Sequence, residues 1–99
     1  MNLKEIHSAV QELCEISERP RSKIDFADIN EQFRRIEMAG LPINKSQELR
    51  GYRDRAYDRF SELQRMRSDA PERAEFIAKS AGFFLAIHSE AYRLANPES

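Results

Sequence analysis

Cysteine occurs once in 99 residues, at Cys14, so no disulfide can close within the chain and a secreted scaffold stapled by disulfides is excluded. Glycine occurs only at Gly40, Gly51 and Gly82, too scattered to form the Gly-rich phosphate cradle of nucleotide-binding loops. With one cysteine and no histidines four residues apart, too few ligands exist for a structural zinc site. Neither His7 nor His88 has a carboxylate three or four residues away on its own helix, as di-metal bundles require. No metal and no cofactor is expected. Charge of one sign is missing too. Sixteen basic residues balance seventeen acidic ones, and a net charge of −1 gives no global attraction to nucleic acid or to an anionic membrane.

Long apolar runs are also absent. The most apolar stretch, Ala81–Ile87, is far short of the ~20 residues that span a bilayer. The first residues carry no apolar run ahead of a small-residue cleavage site, so no signal peptide is expected. A cytoplasmic location follows as the expectation. No segment alternates apolar and polar residues as a strand does, and there is no internal repeat or low-complexity linker.

What is present is helical periodicity, four times over. The first helix opens at Asn2, where Asn2 and Glu5 have capping-box spacing. Leu3, Ile6, Val10, Leu13 and Cys14 share a face, with Ala9 and Ile16 at its flank. Pro20 disfavours helical geometry at Arg19 and closes the helix near Glu18. Asp25 or Ser22 can cap a second helix whose stripe is Phe26, Ile29, Phe33 and Ile36. It ends at Ala39-Gly40-Leu41-Pro42, where Gly40 suits a left-handed C′ position and Pro42 prevents continuation. Asn44 or Ser46 caps a third helix buried along Leu49, Tyr52, Ala56, Phe60 and Leu63. Asp69-Ala70-Pro71-Glu72 reads as a further capping box, and Asn96-Pro97 ends the fourth helix.

The expected fold is all-α: a single four-helix, bundle-like domain over residues 1–99. Its helices span about 3–18, 25–39, 45–67 and 70–95, and the last few residues are expected to fray. The third and fourth helices form a hairpin about 30 Å long by helical rise, with the first two packed across it or against a second subunit.

The fourth helix organises this reading. At about 100° per residue, Ala74, Ile77, Ala78, Ala81, Phe84, Leu85, His88, Ala91, Tyr92 and Ala95 form one broad apolar face. Phe76, Phe83, Ile87 and Leu94 form an adjoining one. A helix apolar over so much of its circumference must be covered on two sides. Either the second face completes the core of a monomer, or Phe76, Phe83, Ile87 and Leu94 meet a protein partner or a second copy.

Catalytic constellations are not legible. Cys14 lies on the buried stripe of its helix, where a thiol behaves as a small hydrophobe with a raised pKa. His88 is expected as a buried neutral imidazole, with a pH-sensing role as the alternative. Asp54, Asp58 and Glu62 point outward in one row, as a solvated face does. Arg50, Arg53, Arg55 and Arg59 flank both edges of the third helix's apolar stripe, where their stems can cover the core edge.

One segment, Gln32–Leu49, resembles a helix-turn-helix, with Gly40 in the turn and Leu41 and Leu49 as its apolar contacts. Gln47 and Arg50 would then face the major groove, and Arg34, Arg35 and Lys45 the phosphates. The leading expectation is a small non-enzymatic protein-interaction module, an adaptor, chaperone-like protein or inhibitory regulator, pairing as a homodimer through the fourth helix. A DNA-binding regulator is the alternative.

Overall fold

A computed structural model describes residues 1–43 and 47–96. It is all-helical: α1 (Leu3–Glu18), a 3-10 turn (Arg21–Lys23), α2 (Phe26–Met38), α3 (Gln47–Arg65) and α4 (Pro71–Ala95). No strand occurs among the described residues. The molecule measures 44 × 25 × 24 Å.

Helix boundaries follow local chemistry. Asn2 Oδ1 accepts from Glu5 N–H at 3.1 Å and caps α1. Only that half of the capping box forms. The Asn2 N–H donates instead to the Ala39 carbonyl at 2.7 Å, and the Glu5 carboxylate turns to Arg35, 2.7 Å away on α2. Arg19 is extended ahead of Pro20, ending α1. Asp25, not Ser22, caps α2 by accepting from Ala27 N–H at 2.9 Å.

The end of α2 is a Schellman motif. Gly40 has φ +112°, Gly40 N–H donates to Glu37 O at 3.0 Å, and Leu41 N–H donates to Ile36 O at 3.3 Å. Leu41 then folds into the core. The caps expected at Asn44 and Ser46 lie outside the described residues. The capping box expected before α4 does not form. Ala70 occupies the N-cap with no side-chain acceptor, and Asp69 pairs with Arg67 at 3.3 Å. Pro71 in the first turn leaves no N–H to satisfy.

Helix α3 and α4 are antiparallel neighbours, joined by the stacking of Phe60 on Phe84 (ring centroids 5.3 Å apart) and by Arg59 Nη1 donating to Ser80 Oγ at 3.2 Å. The closest backbone packing nevertheless involves α1, which lies between α2 and α4. Ile6, Val10, Leu13 and Ile16 of α1 are all fully buried. Arg19 and Asp28 (2.8 Å) join the other end of α1 to α2. So α1 is covered by α2 and α4, and α4 by α1 and α3.

The face that α4 buries differs from the broad face expected. Arg73, Ser80, Phe84, Ile87 and Ala91 face the core. Ile77, Ala81 and His88 are half-buried, while Ala74, Ala78, Leu85, Tyr92 and Ala95 are exposed. Two polar residues therefore sit on the core line, each satisfied there. Arg73 Nη1 donates to Leu63 O (2.7 Å) and Met66 O (3.2 Å), and its Nη2 donates to Arg19 O (2.9 Å). Those carbonyls belong to the ends of α3 and α1, where backbone acceptors lack intrahelical partners and the helix dipole favours a cation. Ser80 Oγ donates to Phe76 O at 2.8 Å.

Candidate interaction surface on helix α4

Five large apolar side chains stand exposed among the described residues: Met1, Met38, Leu85, Tyr92 and Leu94. Three belong to α4. Leu85 (47 % exposed) and Tyr92 (52 %) share a face, and Ala74, Ala78, Ala81 and His88 complete a continuous stripe along it. Nothing charged interrupts that stripe.

The stripe is bordered by α1. The His7 and His88 rings meet edge-on with centroids 4.9 Å apart, and Leu3, Lys4, His7, His88 and Tyr92 line an open groove of about 420 Å³. His88 is thus half-buried against another imidazole instead of enclosed in the core. The pairing joins residues far apart in the chain, and only the antiparallel packing of α1 on α4 brings them together. Cys14 of α1 is half-buried, and its thiol pKa is raised by burial first and then by the carboxylates of Glu18 and Glu15. A thiol so placed stays protonated and unreactive at neutral pH.

The four residues expected to form an interaction face are divided by the fold. Ile87 is fully buried in the core and presents nothing to a partner. Phe76 and Phe83 are half-buried on the side of α4 that faces α3. The Arg55 guanidinium lies over Tyr52 and Phe83, 5.1 and 5.3 Å from the ring centroids, and that of Arg59 over Phe76 and Phe83, at 5.6 and 5.0 Å. Arginine stems and heads therefore cover much of what would have been open aromatic surface. Leu94 remains 38 % exposed. Beside this cluster an open groove of about 490 Å³ is lined by Arg55, Asp58, Arg59, Glu62, Met66 and Phe76. Its charges alternate in sign, so it offers no uniform field to an anion or a cation.

Of the residues assigned to DNA, the two on α2 are engaged by neighbouring side chains. Arg34 forms a two-pronged pair with Glu31, at 2.7 and 3.0 Å. Arg35 is engaged by Glu5, Gln32 and Ser8. Gln47 and Arg50 are exposed at the start of α3, and Lys45 lies outside the described residues. The chain is still non-helical at Ile43, beyond the three- to four-residue turn of a helix-turn-helix.

Among the described residues, no group of three or more His, Cys, Asp or Glu side chains could hold a metal ion. No helix among the described residues is long and apolar enough to cross a membrane. No family model, curated protein or solved structure matches this chain.

Proposed function

We propose that this chain is a small, non-enzymatic protein-interaction module, working in the cytoplasm as an adaptor, chaperone-like protein or inhibitory regulator. It pairs as a homodimer through α4. One observation carries the reading: α4 leaves Leu85 and Tyr92 exposed on one face, which Ala74, Ala78, Ala81 and His88 continue without a charge. Contiguous apolar surface of this kind is the usual mark of an association site. The unpaired Cys14 suits a reducing compartment. No observation favours the DNA-binding alternative, since Arg34 and Arg35 are held by neighbouring side chains.

Light scattering over a range of concentrations tests the reading. A mass above the 11.6 kDa of one chain is expected. A chain that stays monomeric and has no stable protein partner would overturn it. A fluorescent duplex titrated at low salt is expected to remain unbound. Binding that weakens steeply with added salt would instead support the DNA alternative.

A further inference from the structure

We infer that the stripe Ala74–Ala78–Ala81–Leu85–His88–Tyr92 is an antiparallel, two-fold seam for a second copy of this chain. The inference rests on the homodimer reading and specifies its geometry. Successive members are four, three, four, three and four residues apart, the spacing that keeps a straight seam between two helices. From Ala74 to Tyr92 the seam runs about 27 Å by helical rise.

Side-chain size selects the direction. The N-terminal half is small (Ala74, Ala78, Ala81) and the C-terminal half is large (His88, Tyr92). In an antiparallel pair centred on Leu85, Ala78 faces Tyr92 of the second copy, Ala81 faces His88, and Leu85 meets its own counterpart. Away from the central Leu85 pair, Tyr92 and His88 each meet an alanine, as close packing requires. A parallel pair would set Tyr92 against Tyr92 and alanine against alanine, leaving a gap at one end and a collision at the other.

Charge selects the same direction, independently. Lys4, Gln11 and Glu18 are exposed and spaced seven apart on α1, forming a row beside the seam that runs from basic to acidic. Lys4 lines the groove with Tyr92, which fixes the basic end. With His7 beside His88 and the helices antiparallel, Gln11 comes level with Phe84, at the centre of the α4 seam. The charge row and the size pattern therefore share one two-fold axis. About that axis Lys4 faces Glu18 of the second copy, Gln11 faces Gln11, and Glu18 faces Lys4. A parallel arrangement would oppose like charges at both ends, which costs affinity. An unrelated helix would have no reason to match both patterns about one midpoint.

The test uses the full-length chain in low-salt buffer, where rim charges act most strongly. Wild type is expected at twice the chain mass. L85E is expected to keep the wild-type circular dichroism spectrum at the mass of one chain, because Leu85 is exposed within each subunit. K4E and E18K are each expected to raise the dissociation constant about tenfold, and the double variant K4E/E18K to restore it. Direction is read by disulfide trapping in a C14S background. K4C chains mixed with E18C chains should oxidise to the mixed dimer. K4C–K4C dimers would overturn the antiparallel seam while leaving the homodimer intact. A dimer that survives L85E would overturn the seam in the same way. A wild-type chain monomeric throughout would sink the homodimer reading itself.

Discussion

Gly40 and Arg73 carry more of the fold than their neighbours, for opposite reasons of visibility. Gly40 could be found in the sequence, because a glycine between a helical stripe and Leu-Pro marks a left-handed C′ position. Its φ of +112° excludes most side chains, and a Cβ there would stand 3.1 Å from the Met1 Cα. Gly40→Val is expected to cost about 2 kcal/mol or more, from backbone strain together with displacement of the N-terminus. Urea denaturation would show this as a lowered midpoint, and an unchanged midpoint would contradict the strain.

Arg73 could not be found, since an arginine in the first turn of a helix reads as surface. Only the convergence of the α1 and α3 C-termini supplies the carbonyls that make its burial favourable. Arg73→Met is expected to cost about 3 kcal/mol, since it leaves several buried or half-buried carbonyls without their charged donor. Arg73→Lys should recover only part of that, because an ammonium cannot span the two helix ends as the guanidinium fork does. Thermal unfolding of the two variants would order them, and equal losses would argue against the fork. Among exposed pairs, Arg34 holds the Glu31 carboxyl below its ordinary range, chiefly through their hydrogen bond. That pairing stabilises the fold above the unfolded pKa of about 4.3 and is lost as pH falls through the lowered folded value. Glu31→Gln should therefore change helix content at pH 7 slightly and at pH 2 not at all, as followed by circular dichroism. Equal changes at both pH values would remove the ion pair from the account.

At the scale of elements, periodicity located the helices well and oriented three of them. On α3 the expected stripe is the observed one, with only Tyr52 left half-buried. On α1 it shifts slightly toward Ala9 and Ile16, both fully buried. Helix α4 is different because it is apolar nearly all round, so its own sequence does not single out a core face. What decides is outside the helix. Arg73 must reach two helix ends, Phe84 must stack on Phe60, and together they turn Ile87 inward and Leu85 outward. Adjacent positions should therefore respond in contrary ways to the same insertion of charge. Phe84→Asp buries an unpaired carboxylate and is expected to cost several kcal/mol, enough to unfold most of the protein. Leu85→Asp is expected to leave helix content intact. If both variants unfold, the rotation of α4 described above is wrong.

The whole molecule is built around α1, with α2 on one side and α4 on the other. That hierarchy was not legible, because α1 carries no more apolar residues than a helix at the rim would. Its central place emerges from long-range pairings such as Glu5 with Arg35 and His7 with His88. One consequence reaches function. With α1 taking the centre, α1 and α3 cover Ile87, Phe83 and Phe76 of α4, and the face carrying Leu85 and Tyr92, which the sequence reading placed in the core, remains open. In the proposed homodimer a second copy covers it. Sedimentation equilibrium of the unmodified chain is the most direct measurement. The homodimer is expected as a single species of twice 11.6 kDa at micromolar concentration and above. A species of 11.6 kDa persisting into the millimolar range would contradict it.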